Sequence, residues 1–157
     1  MKTFETDVIV IGGGATGTGT LRDCALRGMK GILIEKNDIA SGTTGRNHGL
    51  LHSGARYAVK DLESASECIS ENKILKKIAW HCIEDTGGLF VTLPEDDPAY
   101  HNMLMEGCSY AGIDVDEISI NKALEIEPNL NPNILYALKV PDGTIDPFRL
   151  SAANILD

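Results

Sequence analysis

The sequence predicts an α/β fold that opens on a strand–helix–strand crossover, and three observations predict it. Residues 7–11, Asp-Val-Ile-Val-Ile, are a short β-branched apolar run. A glycine-rich turn, Gly12-Gly13-Gly14-Ala15-Thr16-Gly17, follows at once and leads into a helical stretch, and a second apolar run returns at residues 32–35. The first run reads as a strand buried on both faces, as in a parallel sheet. The stretch from Leu21 to Arg27 closes at Gly28, a C-terminal glycine signal. Strand, turn, helix and strand within about thirty residues form a βαβ unit, whose crossover is almost always right-handed.

Residues 41–56 carry Ser, Gly, Thr, Asn, His and Arg without a sustained period and read as a functional loop. Beyond it, Leu62, Ala65, Ile69, Leu75, Ile78, Ala79 and Cys82 recur at helical spacing, which predicts a helix from the N-cap Asp61 to about Ile83. A strand follows over 89–93, ended by Pro94. Asp97-Pro98 supplies an N-cap and N1 proline for a helix closing near Gly112. A strand over 113–115, a small helix over 119–126 and a strand over 135–140 continue an α+β stretch. Asp146-Pro147 then starts a helix over 148–156. No stop signal follows it, so the chain reads as a fragment of a longer protein.

Composition bounds the function. The chain has 157 residues with 14 Lys+Arg against 23 Asp+Glu, a net charge of -9, and 43% hydrophobic residues. That is the size and make-up of one ordinary globular domain and argues against a disordered tail. Acidity without a Lys/Arg-rich block argues against nucleic-acid binding, which draws its affinity from neutralised phosphates. Cys24, Cys68, Cys82 and Cys108 lie far apart, with no C-x-x-C pair and no zinc-finger spacing, so reduced thiols and no metal site are expected. Glu5, Asp7 and the early glycines argue against a signal peptide, and no apolar run approaches the roughly 18 residues of a membrane span.

Ten of the 16 glycines fall between Gly12 and Gly49. Gly12, Gly14 and Gly17 form G-x-G-x-x-G directly after a strand and at the mouth of a helix, with Glu35 closing the next strand, which is the context of a Rossmann-like dinucleotide site. Gly12 permits the tight turn, Gly14 lets the backbone approach a pyrophosphate, and Gly17 lets helix and sheet pack closely. Free N–H groups and the helix dipole favour the anionic ligand. A carboxylate at Glu35 suits a ribose with free hydroxyls, where Arg would have pointed to a 2′-phosphate. The adenosine half of either FAD or NAD fits. The expected binding set here is Ile11, Gly12, Gly13, Gly14, Ala15, Thr16, Gly17, Glu35 and Lys36.

Ser41-Gly42-Thr43-Thr44-Gly45-Arg46-Asn47-His48-Gly49-Leu50-Leu51-His52-Ser53-Gly54-Ala55-Arg56-Tyr57 narrows the choice. This segment resembles the flavin-contacting loop of the FAD-dependent glycerol-3-phosphate dehydrogenases, within the D-amino-acid-oxidase-like superfamily. The resemblance extends over nearly the whole chain, including residues 67–72, 93–97 and 140–150. Gly45-Arg46-Asn47-His48, standing where aerobic relatives are serine-rich, is similar to the anaerobic branch. The resemblance implies an FAD-binding fold of the glutathione-reductase/D-amino-acid-oxidase type, with residues 1–88 its first segment, 89–145 the start of a substrate domain, and 146–157 a helix returning to the FAD domain. Leu21 departs from the family, which commonly has a small residue there.

The same resemblance implies that Ser41, Thr43 and Thr44 help bind the diphosphate and ribityl part, with Asn47, His48, Gly49 and Leu50 near the isoalloxazine. His52, Arg56 and Tyr57 match an H-x-G-x-R-Y element on the flavin's substrate side. His52 is then the general base for a secondary hydroxyl, its ordinary pKa near 6.5 suiting the task. Arg56, whose fork can grip phosphate oxygens, orients substrate with Tyr57; an internal ion pair is the competing reading of Arg56. Lys73, Lys76 and Lys77 read as a solvated helix face, and Trp80, His81 and His101 are given no role.

The implied reaction is oxidation of sn-glycerol 3-phosphate to dihydroxyacetone phosphate. Implied partners are further subunits, one with iron–sulfur centres, passing electrons to a membrane quinone, with the enzyme peripheral on the cytoplasmic face of the inner membrane. No cysteine set in the chain suits a cluster. Two alternatives stand beside this reading: an FAD-dependent 2-hydroxy-acid oxidoreductase of the 2-hydroxyglutarate type, and a non-catalytic dinucleotide-binding module, since an isolated chain of this length lacks later substrate ligands.

Overall fold

The computed structural model describes residues 2–157. In chain order the elements are β1 (Val8–Ile11), α1 (Ala15–Leu26), β2 (Gly31–Ile34), β3 (Leu50–Leu51), α2 (Leu62–Ile78), β4 (Ile83–Glu84) and β5 (Gly88–Thr92). There follow α3 (Ala99–Ala111), β6 (Asp116–Ile118), α4 (Ile120–Ile126), β7 (Tyr136–Val140), β8 (Gly143–Ile145) and α5 (Pro147–Leu156), and short 3-10 turns occupy Thr43–Arg46, Ala55–Tyr57 and Trp80–Cys82. By packing, the chain forms two compact units, one of the residues up to Gly49 with Ile145–Asp157, the other Leu50–Thr144. Packing units need not coincide with functional segments, so the division into FAD and substrate parts is a separate matter.

In the first unit β1 and β2 pair in parallel, from Val8 opposite Gly31 to Ile11 opposite Ile34, with α1 as the crossover between them. The helix ends where Gly28, at φ 77°, donates its N–H to Ala25 O. Leu21 is accommodated by a glycine: a Cβ on Gly31 would lie 2.5 Å from Leu21 Cδ1. α5 is capped by Asp146, whose carboxylate accepts from the N–H groups of Phe148 and Arg149. It packs on α1, with Asn154 Nδ2 3.4 Å from the buried Thr18 Oγ1 and Arg22 paired to Asp157 at 2.6 Å.

β1 is not buried on both faces. Val8 and Val10 are half-buried, whereas Ile9 and Ile11 are 58% and 86% exposed. Among the described residues α1 covers one face of this two-stranded sheet, and period-2 alternation leaves every second side chain on the other.

The second unit is built on the antiparallel sheet β5-β7-β6, with Gly88 opposite Val140 and Thr92 opposite Tyr136. Its core joins Ala65 and Ile69 of α2, Leu104 and Cys108 of α3, and Leu138 and Val140 of β7. Two glycines permit the closest approaches. A Cβ on Gly54 would stand 2.6 Å from Ala65 O, and one on Gly107 2.3 Å from Ala58 O. A small sheet, β3-β8-β4, completes the unit.

Two elements differ from the sequence expectation by more than a one-residue shift of a boundary. α2 is capped by Asp61 as predicted, but ends at Ile78, after which Trp80–Cys82 turns as a 3-10 helix and Ile83–Glu84 joins a sheet. Apolar periodicity continues through a 3-10 turn, so it carries no signal of that stop. The strand expected over 113–115 lies instead at Asp116–Ile118. Gly112, at φ 76°, donates to Ser109 O and Ile113 donates to Cys108 O, the paired bonds of a Schellman motif. Ile113 is thereby drawn into the core as the motif's hydrophobic contact.

Candidate functional site

The glycine-rich turn is shaped by three different requirements. Gly12 sits at φ 109°, a left-handed conformation that side chains disfavour, and its N–H donates to Ile34 O at 2.8 Å. A Cβ on Gly17 would lie 1.9 Å from Gly12 O, so the first turn of α1 rests directly on the end of β1. A Cβ on Gly14 would stand 2.8 Å from Thr44 Oγ1, the hydroxyl that also accepts the Ala15 N–H at 3.0 Å. The neighbour that Gly14 admits within this chain is thus the second loop.

α1 begins with no side-chain cap at Gly14 and no acidic residue in its own first turn, so no carboxylate of the helix itself competes for its positive end. Glu35 lies beside the turn. Its Oε2 accepts the Gly13 N–H and its Oε1 the Asn37 N–H, each at 2.8 Å. These two bonds, Gly13 first, hold the carboxyl below its ordinary range. A carboxylate oxygen that accepts one bond keeps acceptor capacity for another, so a ribose hydroxyl can still be received. Ile11, Thr16 and Lys36 are exposed at the rim.

Ala40, buried at φ 57°, donates its N–H to Gly13 O at 2.9 Å and turns the chain into the second loop. Thr43–Arg46 form one 3-10 turn, packed so that a Cβ on Gly45 would meet Ala40 O at 2.4 Å and Phe148 Cζ at 2.8 Å. Asn47 staples its exit: Nδ2 donates to Thr44 O at 2.7 Å and Oδ1 accepts from Gly49 N at 2.6 Å. His48 is exposed, and Gly49 takes φ 69°. The N–H groups at the start of α1, the Ser41, Thr43 and Thr44 hydroxyls and the Glu35 carboxylate are the donor and acceptor set that an adenosine diphosphate group requires, and these residues fit FAD.

In the second unit, Leu50 and Leu51 pair with Thr144 and Gly143. The next step of that antiparallel register sets His52 opposite Asp142. His52 Nδ1 is 3.4 Å from Asp142 Oδ2, while Asp142 Oδ1 accepts the Ser53 N–H at 2.6 Å. Asn72, buried on α2, directs Nδ2 toward the carbonyls of Leu51, His52 and Pro141 at 3.2–3.4 Å. Arg56 and Tyr57 lie on the Ala55–Tyr57 turn, with the Arg56 Cζ 5.5 Å from the centre of the Tyr57 ring. Among the described residues Arg56 has no ion-pair partner. The lysine face is not merely solvated: Lys73 Nζ donates to Gly112 O, and Lys76 Nζ to Asp85 and to Pro141 O.

Sequence reasoning singled out neither Asp142 nor Asn72 for the site. Asp142 stands 89 residues beyond Ser53 in the chain, and only strand register brings it to this turn. The available signal was that Asn72 and Asp142 stand in the family-like runs 67–72 and 140–150. Among the described residues no group of three His, Cys, Asp or Glu could hold a metal ion, and no helix is long and apolar enough to cross a membrane.

Known proteins share both the sequence and the fold of this chain. The family described as FAD dependent oxidoreductase matches residues 7–156. One subunit of the anaerobic glycerol-3-phosphate dehydrogenase of Escherichia coli K12 is 62% identical over all of this chain, which spans 30% of that protein's length. Among solved structures, L-alpha-glycerophosphate oxidase from Mycoplasma pneumoniae with FAD bound has a TM-score of 0.76 at 24% identity, over 99% of this chain and 42% of the other, which is a likeness of fold. Glycerol-3-phosphate dehydrogenase from Bacillus halodurans complexed with FAD has a TM-score of 0.63 at 25% identity, over 99% of this chain and 25% of the other. With that family matched over residues 7–156, the chain belongs to the FAD dependent oxidoreductase family.

Proposed function

We propose that the complete polypeptide carrying these residues oxidises sn-glycerol 3-phosphate to dihydroxyacetone phosphate and passes the electrons through partner subunits, one bearing iron–sulfur centres, to a membrane quinone. The observation that carries this reading is the 62% identity along the whole chain to one subunit of an anaerobic glycerol-3-phosphate dehydrogenase. That the relative is itself a subunit supports the existence of partners, and quinone as acceptor would set the enzyme peripherally at the cytoplasmic face of the inner membrane.

FAD, when bound, supplies the acceptor for the hydride that leaves C2 of the substrate. Gly12 to Gly17 and the N-terminus of α1 would bind its diphosphate, Glu35 its ribose, and Ser41, Thr43 and Thr44 its diphosphate and ribityl part. Asn47, His48, Gly49 and Leu50 would border the ring. His52 would take the proton of the C2 hydroxyl, since a secondary alcohol that gives up a hydride to become a ketone must also lose that proton. Arg56, exposed and held beside Tyr57, offers a guanidinium fork to the substrate phosphate. In this division of labour residues 1–88 and 146–157 serve the cofactor and 89–145 begin the substrate domain.

Anaerobic stopped-flow mixing of the complete polypeptide with sn-glycerol 3-phosphate, and separately with 2-hydroxyglutarate, tests the reading. Rapid bleaching of the oxidised flavin by the first alone is expected. Bleaching by 2-hydroxyglutarate alone would transfer the assignment to the 2-hydroxy-acid class.

A further inference from the structure

We infer that Asp142 is a positioning residue that holds His52 in one tautomer and one ring orientation, with the proton on Nδ1 and the lone pair on Nε2. The inference rests on the reading of His52 as the base. Three observations lead to it. The β3–β8 register, Leu51 opposite Gly143, aligns residues 52 and 142 across the ladder, so backbone pairing rather than side-chain flexibility sets their separation. Asp142 is itself fixed: it is 8% exposed, and its Oδ1 accepts the buried Ser53 N–H at 2.6 Å, which turns Oδ2 toward His52 Nδ1 at 3.4 Å. The backbone on both sides is tied by one side chain, since Asn72 Nδ2 reaches the carbonyls of His52 and Pro141.

An ionised carboxylate can only accept, so the nitrogen facing it must be the one that carries hydrogen. The other nitrogen then bears the lone pair, which is the state a base needs before it receives a proton. A proton taken up by the ring would make it an imidazolium, and the adjacent carboxylate would stabilise that charge without itself being protonated. Gly88 gives Asp142 its room: a Cβ there would lie 3.0 Å from both Asp142 Cβ and Oδ2.

The test uses the complete flavoprotein labelled with 15N-histidine, His52 being assigned by its loss in His52→Asn. Two-bond 1H–15N spectra read which ring nitrogen carries hydrogen. A proton on Nδ1 is expected, and a proton on Nε2 in the unmodified protein overturns the inference whatever the variants do. Asp142→Asn, whose amide can donate, should move the proton to Nε2 and slow flavin reduction by glycerol 3-phosphate by about tenfold or more, with substrate affinity changed little. Asp142→Glu should restore part of the rate. If Asp142→Asn keeps both tautomer and rate while His52→Asn is slow, Asp142 has no positioning role and the base assignment stands. Full reduction in His52→Asn removes the base assignment instead, and the spectra still decide which group orients the ring.

Discussion

Two glycines in the same helix, two residues apart, should respond to alanine in opposite ways. At Gly17 the new Cβ would stand 1.9 Å from Gly12 O and 3.0 Å from Gly12 C, both backbone atoms that cannot rotate aside. Since real Cβ contacts essentially never fall under 3.0 Å, α1 must lift from the end of β1 by about 1 Å, an overpacking that costs about 1–3 kcal/mol. The movement would separate the N–H groups of the first turn from the diphosphate they are proposed to bind, so FAD affinity should fall by roughly five- to hundredfold, each 1.4 kcal/mol being about tenfold. At Gly19 the Cβ would meet only Asn154 Nδ2, at 3.8 Å, and glycine inside a helix costs about 0.5–1 kcal/mol relative to alanine. Gly19→Ala should therefore raise the thermal midpoint and leave FAD affinity unchanged. The assay is flavin titration of the complete apoprotein with parallel thermal melts. Gly17→Ala binding FAD as tightly as the unmodified protein would refute the reasoning, because no flexible side chain is available to absorb the overlap.

Other perturbations follow from the same geometry. Gly107→Ala should lower the melting midpoint, because its Cβ would enter the 2.3 Å gap to Ala58 O at a cost of about 1–3 kcal/mol; an unchanged melt would show that α3 can slide. Glu35→Gln should weaken FAD binding, since a neutral amide is a poorer acceptor for the Gly13 N–H and for ribose; flavin titration reads it, and equal affinity would remove Glu35 from the site. Asp61 caps α2 through Ser64, whose hydroxyl and N–H depress its pKa from the ordinary value of 3.8. A depressed folded pKa stabilises above the unfolded value, so this contribution is complete above about pH 4 and is lost as pH falls through the lower folded value. Asp61→Ala should melt earlier at neutral pH, with the gap to the unmodified protein closing in acid. Burial pushes the Cys108 thiol up to about 11, with Asp142 adding to it. Iodoacetamide at about pH 8 should therefore alkylate the half-buried Cys68 well before Cys108, and peptide mass spectrometry showing the reverse order would contradict the packing.

What was legible in the sequence was what is local. Val8 to Glu35 could be read in order because each step has a nearby signal: a β-branched run, a glycine that must take positive φ, a helix stop at Gly28 and a second apolar run. The N-caps Asp61 and Asp146 accept bonds from residues two or three positions ahead, which is equally local, whereas α3 starts one residue later than expected, with Pro98 rather than Asp97 as its N-cap. What could not be read depends on distant partners. β3, β4 and β8 are strands of two or three residues that exist only because they find one another, and no periodicity can develop over such lengths. Asp142 belongs to this class: a lone Asp before Gly143 reads as a turn residue, and acquires its place opposite His52 only through the register of β3 on β8.

The acidity of the chain and the anionic nature of its cofactor are reconciled by where the carboxylates stand. Net charge acts at a distance and is screened within about 10 Å at ordinary ionic strength, whereas a backbone N–H acts at contact. α1 carries no acid in its first turn, and Asp23 stands near the helix's other end. The acid that does stand at the turn, Glu35, directs both oxygens onto the N–H groups of Gly13 and Asn37. Its charge is thus met by two backbone dipoles, and the Thr44 hydroxyl meets the turn from the second loop without adding charge of its own. A 2′-phosphate would have to share that space with an ionised Glu35, whereas a free ribose hydroxyl can donate to it. If Glu35 receives the ribose as proposed, the same carboxylate that shapes the glycine turn would favour an unphosphorylated adenosine, in keeping with FAD.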